Sequence, residues 1–157
     1  MFDQVNGLPV HALVLHAAVV FVPLLAILAV VYAAVAKWRP RLGWAVALLA
    51  VAAPVSTFVA KESGEKLYDR LVSNGLKGKG LEILNDHMDY GGMLFWFVLG
   101  LGVVSLVMVG LTVRPERQLS GLLNVVFIVL TVVLALGSLY YVFETGDSGA
   151  TAVWGSY

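Results

Sequence analysis

Long apolar stretches alternate with short polar ones along the chain. From Gln4 to Ala36 no residue carries a formal charge, and Val10 to Ala36 can cross about 30 Å of hydrocarbon with tilt to spare. Lys37-Trp38-Arg39-Pro40-Arg41 then joins three cations, an aromatic and a proline, which places a tight turn at a membrane surface. Leu42 to Ala60 is a second span. Residues 61–86 are polar, with five cations balanced by five acids, and Leu67, Leu71 and Val72 recur at helical spacing, so a short surface helix ending near Asn74-Gly75 is expected there. Tyr90 to Val113 is a third span, Arg114-Pro115-Glu116-Arg117 a second tight turn, and Leu119 to Phe143 a fourth span. A small polar tail, 144–157, follows. The pattern predicts an all-α integral membrane four-helix bundle in one domain, with spans at 10–36, 42–60, 90–113 and 119–143.

Composition agrees. The 157 residues are 60% hydrophobic and 13% charged, against about 25% charged in soluble domains, and the mean hydropathy is +0.89. Water is excluded as the main solvent, and the lipid bilayer is the expected partner. The chain has no cysteine, which removes disulfides, thiolate metal sites and covalent c-type haem. Formal net charge is zero and no basic block marks a nucleic-acid partner. Met1 to Pro9 holds no Lys or Arg, and the apolar run behind it exceeds a signal-peptide core, so this segment is expected in the mature protein. The two short turns hold five cations and neither terminal segment holds any. By the positive-inside rule both turns face the cytoplasm, both termini lie outside, and the polar segment 61–86 is extracytoplasmic.

The halves of the chain share landmarks. Glu62-Ser63-Gly64-Glu65 and Glu144-Thr145-Gly146-Asp147 stand at the exits of the second and fourth spans. His11 precedes Arg39-Pro40 much as His87 precedes Arg114-Pro115. Two copies of one hairpin would pack about a pseudo-twofold axis along the membrane normal, with His11 and His87 in equivalent positions. Shared capping and turn chemistry is the competing explanation.

The three histidines, His11, His16 and His87, all fall near the same predicted face. Histidine in an apolar span must find a partner, and His16, set between Val14-Leu15 and Ala17-Ala18, fits that description best. His11 and His16 point roughly 140° apart on a helix, so a metal needs a ligand from the third span. His87 supplies it, with Met88 and Met93 as softer alternatives, and imidazole pairs serve haem iron, zinc or copper. Each histidine also has a structural reading: interfacial for His11 beside Pro9, buried and partnered for His16, and part of an Asn85-Asp86-His87 helix cap for His87. Glu62, Glu144 and Asp147 are candidate acceptors for ring N–H groups, or simply solvated acids.

Gly91, Gly92, Gly100, Gly102 and Gly110 thin the third span, for close helix packing or for a flat cofactor. Pro23 and Pro54 should kink the first two spans. No nucleophile elbow, phosphate-binding loop, zincin motif or dinucleotide fingerprint occurs, so a hydrolase, kinase or dehydrogenase is not expected. No charge lies inside a span, which argues against a proton-coupled pump.

Gly7-Leu8-Pro9-Val10-His11-Ala12-Leu13-Val14-Leu15-His16 resembles the opening of the bacterial predicted-membrane-protein family catalogued as domain of unknown function 2231, which typically begins His-Pro-x-x-Val-His. Ala60-Lys61-Glu62-Ser63-Gly64, the His87 entry and the ending Thr145 to Trp154 also resemble actinobacterial members, so the likeness spans nearly the whole chain. Ala12 replaces the usual Pro, and Asp147 stands where many members carry a His; if that position supplies a metal ligand in relatives, the site here needs another residue or binds differently. The resemblance implies a bacterial cell membrane protein and brings no activity of its own.

Two functions follow as expectations. One is a protein binding b-type haem or another metal through His87 with His16 or His11, for electron transfer with a membrane redox complex. The other is a cofactor-free accessory subunit, a homo-oligomer or scaffold within a larger membrane complex, using its glycine-rich span. A transporter or channel comes third, since so few uncharged helices need oligomerisation to form a pathway.

Overall fold

The computed structural model describes residues 4–5, 8–112 and 119–155. Four helices account for most of them: α1 (Val10–Ala34), α2 (Arg39–Ser73), α3 (Lys79–Thr112) and α4 (Gly121–Trp154). All four are long and apolar enough to cross a membrane. A 3-10 turn at Ala36–Trp38 joins α1 to α2, and Gln4–Val5 pairs antiparallel with Leu8–Pro9 ahead of α1. The second turn, Arg114-Pro115-Glu116-Arg117, lies outside the described residues.

The helices outrun the spans. At 35 residues α2 is about 52 Å long, well beyond the hydrocarbon thickness. Its apolar part continues without a break through Lys61 to Ser73, so the expected separate surface helix is the end of α2 itself. The end comes where the sequence places it. Gly75 takes φ +95°, and the amides of Gly75 and Leu76 donate to the carbonyls of Val72 and Leu71, a Schellman cap. The residues read as a polar tail are likewise helical to Trp154. A helix already nucleated by a packed apolar span extends at little cost through residues of ordinary propensity.

Each helix packs on its chain neighbours and α4 closes against α1, so α1 and α3 face each other diagonally. Small residues make this possible. Ala26, Ala29, Ala50, Ala53 and Ala135 are buried with Val22, Leu25, Leu94, Val98 and Leu101. Gly102 is the closest approach: a Cβ there would lie 2.6 Å from the Ala50 carbonyl oxygen and 3.0 Å from Pro54. Pro54 has no N–H to give that carbonyl its usual helical partner, and α3 comes flush against the exposed backbone of α2. Outward, Leu122, Trp44, Phe143 and Trp96 are strongly exposed, which is a lipid-facing surface in a membrane protein.

The end of the bundle opposite the histidines is tied by one polar cluster. Arg39 donates from Nε to the Tyr32 carbonyl (3.1 Å), and from Nη2 to the Ala33 carbonyl (2.9 Å) and Asn124 Oδ1 (2.6 Å). It thereby satisfies carbonyls that the end of α1 leaves free and joins α1, α2 and α4. Tyr32, 2% exposed, adds α3 through a 2.6 Å hydrogen bond between its hydroxyl and that of Thr112.

Candidate functional site

The N-terminal turn of α1 and the first turns of α3 lie at one end of the bundle with the C-terminal parts of α2 and α4. There the imidazoles of His11 and His87 meet across the diagonal, ring centroids 6.1 Å apart and planes at 87°. Neither ring is free to turn. His11 Nδ1 lies 2.8 Å from the Ala60 carbonyl oxygen of α2, and His87 Nδ1 lies 2.9 Å from the Thr145 carbonyl oxygen of α4. A carbonyl only accepts, so each Nδ1 carries the proton and donates it. In the neutral rings that leaves Nε2 with its lone pair, the arrangement a metal-ligating histidine takes when its other nitrogen is held by a backbone carbonyl.

The two anchors repeat each other. Ser63 donates to the carbonyls of Val59 (2.7 Å) and Ala60 (3.0 Å), and Ser148 to those of Glu144 (2.6 Å) and Thr145 (3.3 Å). A Cβ on Gly64 would stand 3.1 Å from His11 Cε1, and one on Gly149 would stand 2.9 Å from His87 Cε1. Each histidine thus has a carbonyl that takes its proton, a serine three residues on that shares this carbonyl, and a glycine one further that makes room for the ring. The correspondence runs Glu62-Ser63-Gly64 with Asp147-Ser148-Gly149. That is one near-turn beyond the match of Glu62-Ser63-Gly64-Glu65 with Glu144-Thr145-Gly146-Asp147 read from the sequence. A three-residue shift on a helix leaves the same face forward, so only side-chain contacts separate the two registers.

His16 does not join the pair. It is exposed, and its Nδ1 bonds the Ala12 carbonyl of its own preceding turn at 2.8 Å. The helix face explains this: His11 points inward, and five residues later the side chain has swung away. The burial expected of His16 is therefore corrected. Glu62, Glu144 and Asp147 do not take the ring protons of His11 and His87, which the two carbonyls accept. Glu62 lies 3.7 Å from Lys61, which also pairs with Glu65, and Asp147 is exposed. Among the described residues no third His, Asp or Glu completes a metal-binding group.

The histidines open into a cavity of about 550 Å³ bounded by all four helices, a size suited to one small organic ligand. Its wall is chiefly apolar, with Leu15, Leu67, Leu84 and Leu94 among its residues, and Met88 and Gly91 near His87. Met93 is exposed instead. Of the glycines in α3, Gly91 borders the cavity, while Gly102 and Gly100 meet α2 and Leu134 of α4. Tyr68 and Lys61 supply polarity; the Tyr68 hydroxyl donates to Asn85 Oδ1 at 2.8 Å, bridging α2 and α3. Ser63, Ser148, Gly64 and Gly149 were not singled out as site residues in the sequence, although the acid-Ser-Gly string they share was a visible signal.

The profile of the family described as "Predicted membrane protein (DUF2231)" matches residues 7–156. No curated protein and no solved structure matches the chain. The chain belongs to this family.

Proposed function

We propose that this member of the predicted membrane protein family DUF2231 holds a b-type haem between His11 and His87, as an electron-carrying protein of a bacterial cell membrane with both termini on the outer face. The observation that carries the reading is the geometry of the pair. The rings stand 6.1 Å apart across the bundle and each Nδ1 is held by a backbone carbonyl, so the two Nε2 atoms would be the ones to hold the metal.

Haem suits this donor set better than a bare ion. Zinc asks for three or four protein ligands, and the described residues offer two imidazoles. A porphyrin brings its own equatorial nitrogens and needs axial ligands alone. The approximate symmetry of the two anchors supports a ligand that presents equivalent faces to α1 and α3. Bound there, haem would supply one-electron chemistry. The chain would contribute ring tautomers and orientations set by the Ala60 and Thr145 carbonyls, and a chiefly apolar wall around the group.

The test is an oxidised and dithionite-reduced absorption spectrum, with total metal analysis, of protein purified in mild detergent after haem-supplemented expression. A reduced α-band with stoichiometric iron, lost in His87→Ala and His11→Ala and kept in His16→Ala, is the expected result. A colourless, metal-free protein overturns it and favours the accessory-subunit function.

A further inference from the structure

The outward face of α2 is polar at one end only. Arg41, Trp44, Leu48, Val51 and Val55 follow one another three or four residues apart, which keeps them on one face of the helix, and all five are exposed. Lys37, in the turn that precedes α2, is exposed one near-turn before Arg41. The face therefore runs from two cations through an indole into aliphatic surface. Val51 lies about 15 Å along the helix from Arg41, the depth of one leaflet in a hydrocarbon core of about 30 Å.

The charge at this end is uncancelled. Between Gln4 and Lys61 the chain has no Asp or Glu, and neither Lys37 nor Arg41 makes an ion pair among the described residues. Arg39 is held by two carbonyls and an amide oxygen, all neutral, so its charge adds to theirs. The connection from α3 to α4 carries Arg114 and Arg117 against the single acid Glu116.

We propose that this face binds one anionic phospholipid of the adjoining leaflet, its phosphate at Lys37 and Arg41, its glycerol beside Trp44 and an acyl chain along Leu48 and Val51. Each cation near the surface attracts a headgroup of net negative charge, and a guanidinium matches two phosphate oxygens at once. A zwitterionic headgroup is disfavoured, because its ammonium enters the same positive field and finds no carboxylate there among the described residues. A second copy of the chain is disfavoured too. Copies related by a twofold axis along the membrane normal would set both groups of cations at one depth, like charge against like. The inference uses neither the histidines nor the haem reading.

The experiment is native mass spectrometry of the full chain released from mild detergent, titrated in parallel with dioleoyl phosphatidylglycerol and dioleoyl phosphatidylcholine. The first phosphatidylglycerol is expected to bind about tenfold more tightly than the first phosphatidylcholine. The double variant Lys37→Gln/Arg41→Gln should lose that preference with its thermal midpoint unchanged, whereas Lys77→Gln/Lys79→Gln, which removes the same charge from the opposite end, should keep it. Trp44→Ala should weaken both lipids alike, and glycerophosphoglycerol, the headgroup without chains, should fail to compete. Equal affinity for the two lipids in the unaltered protein, or a preference that survives Lys37→Gln/Arg41→Gln, overturns the proposal. So does competition by glycerophosphoglycerol as strong as by the whole lipid, or a lipid-free dimer that Leu48→Ser dissociates.

Discussion

His11 and His87 stand on diagonally opposed helices with rings 6.1 Å apart, and each gives its Nδ1 proton to a carbonyl of a third or fourth helix. No adjacent pair of helices holds the site. It exists only when all four are assembled, so its occupancy should report on the integrity of the whole bundle.

The glycines behind the rings should be selective levers. A Cβ at Gly149 would reach 2.9 Å from His87 Cε1, inside normal contact, whereas the same atom at Gly64 would stand 3.1 Å from His11 Cε1. Gly149→Ala is expected to tilt His87 and weaken the proposed haem binding about tenfold; Gly64→Ala should act in the same direction and less strongly. Titration of the apo proteins with hemin measures both, and equal affinity in Gly149→Ala and the unaltered protein would contradict the expected crowding.

Arg39 should matter more than its turn position suggests. Losing its three hydrogen bonds frees two carbonyls at the end of α1 and the Asn124 amide oxygen, and hydrogen bonds to a charged group contribute about 1.5–3 kcal/mol each when intact. Arg39→Ala is expected to lower the thermal unfolding midpoint in detergent by several degrees. Arg39→Lys should fail to restore it, since one ammonium lacks the planar fork that spans these acceptors.

Gly102 and Gly110, both in α3, should respond oppositely to alanine. At Gly102 the new methyl meets the Ala50 carbonyl oxygen at 2.6 Å, backbone that cannot swing aside, so α2 and α3 must separate at a cost of about 1–3 kcal/mol. At Gly110 it meets nothing within 4 Å, and the helix gains about 0.5–1 kcal/mol from reduced backbone freedom in the unfolded chain. Denaturation in mixed micelles distinguishes the two; similar effects from both would refute the tight α2–α3 contact.

Ser105 is 3% exposed, and its hydroxyl has no hydrogen-bond partner among the described residues. Leaving such a group buried costs about 1–3 kcal/mol, so Ser105→Ala should stabilise the bundle. Ser138, whose hydroxyl donates to the Leu134 carbonyl at 2.8 Å, is the control: Ser138→Ala should be neutral or slightly destabilising in the same assay.

The sequence by itself determined the solvent, the number of spans and the presence of histidines near one end of the bundle. Hydrocarbon demands uninterrupted apolar helices of a minimum length, and that demand is written directly in runs such as Val10 to Ala36 and Leu119 to Phe143. It also showed that α2 stops at Asn74-Gly75, because a left-handed cap needs a residue such as glycine. The extent of the helices was less visible: polar residues at 61–73 and 144–154 fit loop or helix alike, and the packed spans below them settled the matter. Only the tertiary structure paired His11 with His87, left His16 facing outward, and matched Ser63 and Gly64 with Ser148 and Gly149. Helical periodicity fixes which residues share a face of one helix, but the depth and rotation at which four helices meet come from packing, such as Gly102 against Ala50, and a shift of one near-turn preserves the face while changing every partner.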